Sequence, residues 1–141
     1  MKFLLSLAAF AGMALAQSAG LGLPTEGQEI AAGSQVVVQV QRPNSPTPSK
    51  EMAVAIGIAP CSSNGCQSSS DVLGTIMYNG PFSPAYHDSS PPYENFTVKI
   101  PDDLAEGKAK LNIAHATLIG AGPFPFLETL NRTVVITKGK N

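Results

Sequence analysis

The sequence is 141 residues long, with nine Lys and Arg against ten Asp and Glu and a formal net charge of −1 at pH 7. A near-neutral surface has no electrostatic attraction for nucleic acid or anionic lipid, which argues against both as partners. Charged residues make up 13% of the chain, Trp is absent, and Gly and Pro number 13 and 12. This composition is typical of a turn-rich secreted β domain.

Residues 1–16 have the pattern of a secretory signal peptide. Lys2 precedes an apolar run of roughly a dozen residues, and Ala14 and Ala16 flank Leu15 as an A-x-A cleavage signal. The run is shorter than the ~20 residues that span a bilayer, so no membrane span is expected. We predict cleavage before Gln17 and secretion of residues 17–141, a length that suits one domain. Eight basic and ten acidic residues then remain.

Apolar and polar residues alternate in short segments separated by turn formers, which is the pattern of half-buried β-strands. The segments in chain order are "LGLP" with "GQEIAAG" as a short edge strand, "SQVVVQVQR", "MAVAIGIAP", "LGTIMYNG", "NFTVKIP", "AKLNIAHATL" and "TVVITK". About seven strands and no helical stripe predict an all-β, immunoglobulin-like β-sandwich of antiparallel strands. A small closed β-barrel is the alternative.

The same alternation predicts which side chains face the core. The inward set is Val36, Val38, Val40, Phe96, Val98, Ile100, Ala109, Leu111 and Ile113. His115 shares the parity of Leu111 and Ile113, so we expect a buried or rim histidine that is hydrogen-bonded to backbone.

Three connections are longer than a simple turn: residues 43–51, 61–71 and 79–94. Their Pro and Ser content argues against regular structure for much of their length, and loops on a rigid sandwich are where function usually lies. The last connection carries Phe82 and Tyr86 as apolar anchors. We therefore predict that both contribute to a surface for a protein partner.

Cys61 and Cys66 are the only cysteines of the chain. In an oxidising compartment they are most simply one disulfide, and Asn64-Gly65 supplies the tight turn that so short a ring needs. A zinc site requires two more thiolate or imidazole ligands, and a redox pair is usually C-x-x-C. The compartment argument therefore favours a disulfide over both.

Few residues suit catalysis. His87 beside Asp88 lies in a Pro-rich loop, where a solvated pair is expected, and the adjacent Asp102 and Asp103 suit a corner between strands. The N-terminal residue after cleavage is Gln17, not the histidine that secreted oxidative copper enzymes use. We predict a non-enzymatic protein with no cofactor and no metal.

Two N-glycosylation sequons are present, Asn95-Phe96-Thr97 and Asn131-Arg132-Thr133. The strand parity turns Asn95 away from the inward Phe96, which leaves room for a glycan. We predict glycans on Asn95 and Asn131.

The stretch "LIGAGPFPFLETLNRTVV" is the second candidate for the partner surface. Gly120 and Gly122 permit unusual backbone conformations, Pro123 stiffens the segment, and Phe124 and Phe126 require either a core or a partner. Residues 120–126 are predicted to project from one end of the sandwich, with the 79–94 connection nearby. One phenylalanine is expected to serve as a recognition tip and the other as a plug of the core.

Several blocks in order resemble the Nis1 family of small secreted fungal proteins, named for necrosis induction. They are "IGIAPC" followed by a second Cys, "LGTIMYNGPFSP", "PPYENFTVKIP", "GKAKLNIAH" and "LIGAGPFPFLETLNRTV", which together span roughly residues 24–137. The matching positions include Pro60, Cys61 and Cys66 and residues 120–123. The resemblance implies an immunoglobulin-like β-sandwich and a Cys61–Cys66 disulfide.

The resemblance also implies a function. Nis1 proteins of plant-associated fungi are effectors that suppress pattern-triggered immunity by binding host receptor-associated kinases, either outside the host cell or after transfer into it. The family occurs in fungi that do not infect living plants as well, and no kinase-contact residues carry over to this chain. The alternative function is an extracellular cell-wall or carbohydrate-binding module.

Overall fold

The computed structural model describes residues 18–88 and 90–139, which form eight β-strands and no helix. The strands are β1 (Gly20–Leu23), β2 (Glu29–Ala31), β3 (Gln35–Gln41), β4 (Ser49–Pro60), β5 (Thr75–Pro81), β6 (Tyr93–Lys99), β7 (Gly107–Ile119) and β8 (Phe124–Thr137). The predicted signal peptide, residues 1–16, lies outside the described residues, and its cleavage stays a prediction.

The strands form two sheets, one in the order β1-β3-β6 and the other in the order β2-β8-β7-β4-β5. The pairing of β3 with β6, and of β4 with β7 and β7 with β8, corresponds to the B–E and C–F–G pairs of an immunoglobulin-like sandwich. The predicted fold class is therefore confirmed over the barrel alternative.

Two details of the predicted topology are wrong. The segments "LGLP" and "GQEIAAG" form two strands in different sheets, β1 beside β3 and β2 beside β8, and not one edge strand. The pairing of β2 with β8 is parallel, so the sandwich is not wholly antiparallel. The chain crosses from one sheet to the other between Leu23 and Glu29. Because β2 is not joined to β8 by a hairpin, its direction is not forced to be antiparallel to β8.

The core lies between the sheets, as the period-two pattern predicts. The smaller sheet contributes Val38 and Val40 from β3 and Phe96 and Val98 from β6, all buried. The larger sheet contributes Val54, Ile56, Leu111 and Ile113 to the same cluster. A second cluster continues the core towards the other end and contains Ile30, Ile58, Ile100, Ala109, Val134 and Ile136.

The long connections are shorter than the composition predicts. β4 already begins at Ser49, β5 extends to Pro81, and β6 begins at Tyr93, because backbone pairing continues into the Pro- and Ser-containing ends of these stretches. The connections that remain between these strands are residues 42–48, 61–74 and 82–92. The first and third lie together at one end of the sandwich, where the Arg42 N–H donates to the Pro92 carbonyl at 2.7 Å.

Cys61 and Cys66 form the predicted disulfide at the start of the 61–74 connection. Inside the ring, Ser62 and Gly65 exchange two backbone hydrogen bonds of 3.0 Å, and Gly65 has a φ of 114°, which glycine adopts readily. After the ring the connection folds back onto the outer face of the larger sheet, where buried Ser69 donates to Thr129 Oγ1 at 3.2 Å. The disulfide therefore shapes the base of a loop that covers part of that face.

Candidate functional site

His115 lies at the centre of a buried charged cluster that the long loops surround. Its side chain is fully buried, and both ring nitrogens contact carboxylates: Nδ1 lies 2.9 Å from Glu128 Oε1, and Nε2 contacts Glu51 Oε2. Burial agrees with the strand-parity prediction. The predicted backbone partners are wrong, because β8 places Glu128 directly opposite His115 and β4 brings Glu51 to the other side of the ring.

Glu51 and Glu128 also bind groups from two other parts of the chain. Arg42, at the end of β3, donates from Nε to Glu51 Oε1 at 2.7 Å, and the hydroxyl of Ser49 donates to the same oxygen at 3.0 Å. The Ala19 N–H donates to Glu128 Oε1 at 2.6 Å. The cluster therefore joins β3, β4, β7, β8 and the segment that leads into β1.

Hydrogen bonds in the cluster favour the charged forms of His115 and Glu51 in spite of their burial. Burial alone would lower the pKa of His115, but the bonds to Glu128 and Glu51 outweigh that effect and raise it to about 8. Burial alone would raise the pKa of Glu51, but the bonds from His115, Arg42 and Ser49 lower it to about 2. At neutral pH His115 is therefore protonated and Glu51 is ionised.

Phe82, predicted as a partner residue, packs against this cluster. Its ring meets the His115 imidazole edge-on with centroids 5.4 Å apart, and it also lies against Phe96. Only 2% of Phe82 is exposed. Phe82 is therefore a core side chain that fills the gap between the two sheets at this end, and its contribution to a partner surface stays a prediction.

A cavity of about 470 Å³ opens above the cluster, between the 42–48 and 82–92 connections. Arg42, Glu51 and Phe82 lie at its base, and four prolines line it: Pro43, Pro48, Pro84 and Pro92. Tyr86, 69% exposed, also lines the cavity and donates from its hydroxyl to Asn44 Oδ1 at 2.5 Å. Arg42, Lys50 and Glu51 are charged residues of the lining, so this is an open concavity of mixed apolar, polar and charged character.

The 120–123 turn adjoins the same loops. The Gly120 N–H donates to the Pro48 carbonyl at 2.9 Å, and Gly120 has a φ of 89°, a conformation that favours glycine. A smaller groove of about 370 Å³ lies between this turn, including Pro123, and residues 48–50. The 120–126 segment and the 79–94 segment, which the sequence predicts to lie near each other, both contact the 42–48 connection.

The predicted tip is partly a strand. Gly120, Gly122 and Pro123 form the turn, whereas Phe124 and Phe126 already belong to β8. Phe124 is 52% exposed and Phe126 is partly buried. Of the two roles expected for the phenylalanines, the exposed ring of Phe124 therefore suits the tip and that of Phe126 suits the plug.

The two sequons lie on exposed strand positions. Asn95 is exposed on the outer face of β6, beside Gln39 of β3, which donates to its Oδ1 at 3.3 Å. Asn131 is exposed on β8, where its Nδ2 lies 3.5 Å from Ser69 Oγ. Both side chains are accessible, and their glycosylation stays a prediction.

The remaining titratable residues singled out in the sequence lie apart from the cluster. The imidazole of His87 stacks on the Tyr93 ring with centroids 4.0 Å apart, and Asp102 pairs with Lys99 on the surface at 3.4 Å. No group of three or more His, Cys, Asp or Glu in residues 18–88 and 90–139 is arranged to hold a metal ion. The described chain also contains no helix with the length and apolarity to cross a membrane.

Sequence reasoning misses Arg42, Glu51 and Glu128, which complete the cluster around His115. The Pro and Ser content of residues 43–51 predicts an irregular connection for Glu51. Glu128 follows a stretch whose interpretation depends on its glycines, prolines and phenylalanines. An alternation count gives the signal for Glu128, since it shares the inward parity of Leu130 and Val134. A charged residue at an inward position indicates a buried partner.

Solved structures with a similar backbone share little sequence with this chain. One structure of superoxide reductase (neelaredoxin) from Ignicoccus hospitalis aligns with a TM-score of 0.51 at 10% identity, covering 86% of this chain and 81% of that one. The fibronectin(III)-like modules of Clostridium thermocellum CbhA align with a TM-score of 0.48 at 7% identity, covering 87% and 100%. At such identities the likeness concerns the fold alone.

Family membership follows from the sequence itself. No curated protein matches the chain significantly. The model of the Nis1 family, however, matches residues 14–135, which include the disulfide, the cluster around His115 and the loops that border the cavity. That match covers most of the chain and agrees with the resemblance of the ordered sequence blocks, so the chain belongs to the Nis1 family.

Proposed function

We propose that this protein is a secreted, non-enzymatic protein-binding domain of the effector type, which modulates plant immunity by binding host receptor-associated kinases. The observation that carries the proposal is the pair of exposed aromatic side chains at one end of the sandwich, Tyr86 on the 82–92 connection and Phe124 at the start of β8. Membership of the Nis1 family supports the effector class. The kinase partner rests on what the resemblance implies.

The loops suit binding because they are held in place before a partner arrives. Tyr86 is tied to Asn44, Gly120 is tied to Pro48, and the Arg42–Glu51 pair anchors both ends of the 42–48 connection. Aromatic side chains on such a frame lose little conformational entropy on docking, which favours affinity.

The buried cluster favours a structural role over catalysis. His115 is fully buried and each of its ring nitrogens already has a carboxylate partner, so neither nitrogen is free to take a proton from a substrate. We expect His115→Gln to lower stability without removing a catalytic activity. A turnover activity that this variant abolishes, in protein shown to be folded, would overturn the non-enzymatic proposal.

A cell-wall or carbohydrate-binding module is the second candidate, and the positions of the aromatic side chains argue against it. Such modules usually present several coplanar rings. Here Phe82 and Phe96 are buried and Tyr78 packs on Phe96 with centroids 4.5 Å apart. Tyr86 and Phe124 are the large aromatic side chains that the described residues leave well exposed.

The test is a binding experiment with the secreted mature chain. Purified kinase domains of plant receptor-associated kinases form one arm, and insoluble chitin and glucan form the other. We expect kinase binding that Tyr86→Ala and Phe124→Ala weaken at least tenfold, the loss of a typical interface anchor. Ile76→Ala is the matched control, since Ile76 is 49% exposed on β5 near the opposite end.

Three results would contradict the proposal. Binding to polysaccharide without binding to any kinase domain would favour the wall module. Kinase binding that both aromatic variants retain would remove the loop end as its site. Retention of the chain inside producing cells when residues 1–16 are present would contradict secretion.

A further inference from the structure

The outer edge of β8 is paired along only part of its length. β2 pairs with it in parallel from Val135 to Thr137, and the Gly27 N–H donates to the Thr133 carbonyl at 2.8 Å. Along residues 124–132 the described chain places β7 on the other edge and no strand on this one. The larger sheet therefore has an open edge that begins beside the exposed Phe124.

The direction of the backbone groups along this edge follows from the existing pairs. The Val135 N–H and the Thr133 carbonyl point to the β2 side, and the β7–β8 register runs without a shift from Ile136 to Phe124. Since alternate residues of a strand point their N–H and C=O groups to opposite edges, those of Leu127, Thr129 and Asn131 point outwards. Within residues 18–88 and 90–139 they have no backbone partner.

The side chains of this stretch do not protect the edge with charge. Natural edge strands are commonly blunted by charged side chains, Pro or bulges. The one charged residue of 124–131, Glu128, is turned inwards to His115, whereas Leu127 is 70% exposed. Pro125 has no N–H, so the run of free donors begins at Leu127.

We propose that residues 127–131 of β8 form a docking site for an extended peptide segment of a protein partner, which adds to the larger sheet as a further strand. The added strand would continue the edge that β2 already occupies at residues 135–137. Main-chain hydrogen bonds would supply affinity, and Leu127 would supply an apolar contact. This inference takes from the proposed function only that the partner is a protein.

The neighbouring strands favour a free segment over a second copy of the chain. If two copies of β8 paired antiparallel about Thr129, Pro125 of each copy would lie opposite Thr133 of the other. Gly27 already holds that position, and β8 cannot bend away because β7 pairs with it along residues 124–136. A free segment of about five residues, at ~3.3 Å per residue, fits between Pro125 and Gly27.

The site also defines the chemistry of the segment. Side chains of an added strand on the outer face would lie beside Leu127 and Thr129, which favours apolar and β-branched residues there. An N–H is required wherever the segment donates to Leu127 or Thr129, so Pro is excluded at those positions. We therefore expect an extended, uncharged segment with alternating β-branched residues.

A selection from displayed linear seven-residue peptides tests this without a known partner, with the secreted mature chain as the target after enzymatic removal of any N-glycan. Selected peptides are synthesised with a normal backbone and with N-methyl groups at alternate residues. We expect normal peptides to slow amide exchange at Leu127, Thr129 and Asn131. Only alternate residues of the peptide point their N–H groups towards β8. The peptide that is N-methylated at those residues should therefore bind about tenfold more weakly than the unmethylated peptide.

Two variants at position 127 separate the contribution of the main-chain N–H to peptide binding from that of the side chain. Leu127→Pro removes an outward N–H and leaves the β7 ladder intact, as Pro125 already does two residues earlier. Leu127→Ala keeps that N–H and removes the exposed side chain. We expect Leu127→Pro to bind the peptides at least tenfold more weakly than Leu127→Ala. If Leu127→Pro does not fold, the N-methylated peptides and the wild-type chain still decide the question.

Several outcomes would overturn the inference. They are a selection that yields no peptide, equal binding of normal and N-methylated peptides, and exchange protection confined to the 82–92 and 120–123 segments. A concentration-dependent dimer that protects the same three amides would assign the edge to a second copy. Intact peptide binding in variants that have lost kinase binding at Tyr86 and Phe124 would separate this site from the proposed function.

Discussion

His115 Nδ1 lies 2.9 Å from Oε1 of Glu128, the residue that stands directly opposite it in the β7–β8 register. Register alone thus brings a cation and a carboxylate together between two paired strands. Because Glu51 contacts the other ring nitrogen, protonated His115 is flanked by two carboxylates and Arg42 neutralises the second. The positive and negative charges of the cluster are equal in number only while His115 carries its proton.

Stability should therefore fall at alkaline pH. The pKa of His115 is raised from 6.5 to about 8 in the folded protein, so its stabilisation is complete below pH 6.5 and is lost as pH rises through about 8. The shift corresponds to about 2 kcal/mol. We expect a lower thermal midpoint at pH 9 than at pH 6, and a smaller difference in His115→Gln. Equal pH dependence in both proteins would contradict this assignment.

Removing the Glu51 carboxylate should be strongly destabilising. Glu51→Gln leaves Arg42 and His115 buried without their shared partner, a change that typically costs about 3–5 kcal/mol. The depressed pKa of Glu51, about 2, means that its contribution is present above pH 4.5 and is lost as pH falls towards 2. Denaturant unfolding at pH 6 measures the cost. Lys99→Gln is the control, because its exposed pair with Asp102 should contribute at most about 1 kcal/mol.

The disulfide should contribute modestly to global stability. The Cys61–Cys66 ring is short, so Cys61→Ser is expected to cost on the order of 2 kcal/mol or less. Mass spectrometry of the non-reduced peptide should show the two-dalton deficit of a cystine. Titration of two free thiols in the secreted protein would refute the pairing, and full unfolding of Cys61→Ser would show that the ring does more than shape the 61–74 connection.

The two phenylalanines at the start of β8 should behave differently. Phe124 is 52% exposed, so Phe124→Ala should change stability by less than about 1 kcal/mol and weaken partner binding. Phe126 is partly buried, so Phe126→Ala should cost up to about 3 kcal/mol. Thermal melts and binding of each single variant and of the double variant check this. Unchanged binding in all three folded variants would end the recognition-tip hypothesis.

Much of the core follows from local pattern. Strand alternation predicts Val38, Val40, Phe96 and Val98 as inward residues, and all four are buried. The burial of His115 follows on the same ground. Such predictions succeed because the side-chain period of a strand is two residues and depends on neighbouring residues only. Partners across the sheet have no such local signal, so the alternation does not reveal the carboxylates beside His115.

In the loops, too, the sequence does not reveal which side chains are buried. Phe82 and Tyr86 lie four residues apart in a Pro-rich connection, and composition predicts the same surface role for both. Phe82 instead fills the end of the core, and Tyr86 stays exposed over the cavity. Where the backbone is irregular, the direction of a side chain is decided by the space that the two sheets leave.

The sequence by itself determined the β-sandwich class, the inward faces of its strands, the disulfide and the family. These depend on residue spacing, composition and ordered sequence blocks, all of which are local or one-dimensional. Tertiary structure alone decided that β2 joins β8 in parallel, that Glu51 and Glu128 enclose His115, and that the described strands leave part of the β8 edge unpaired. Each of these depends on which distant strands become neighbours, and at which register, as the two sheets pack.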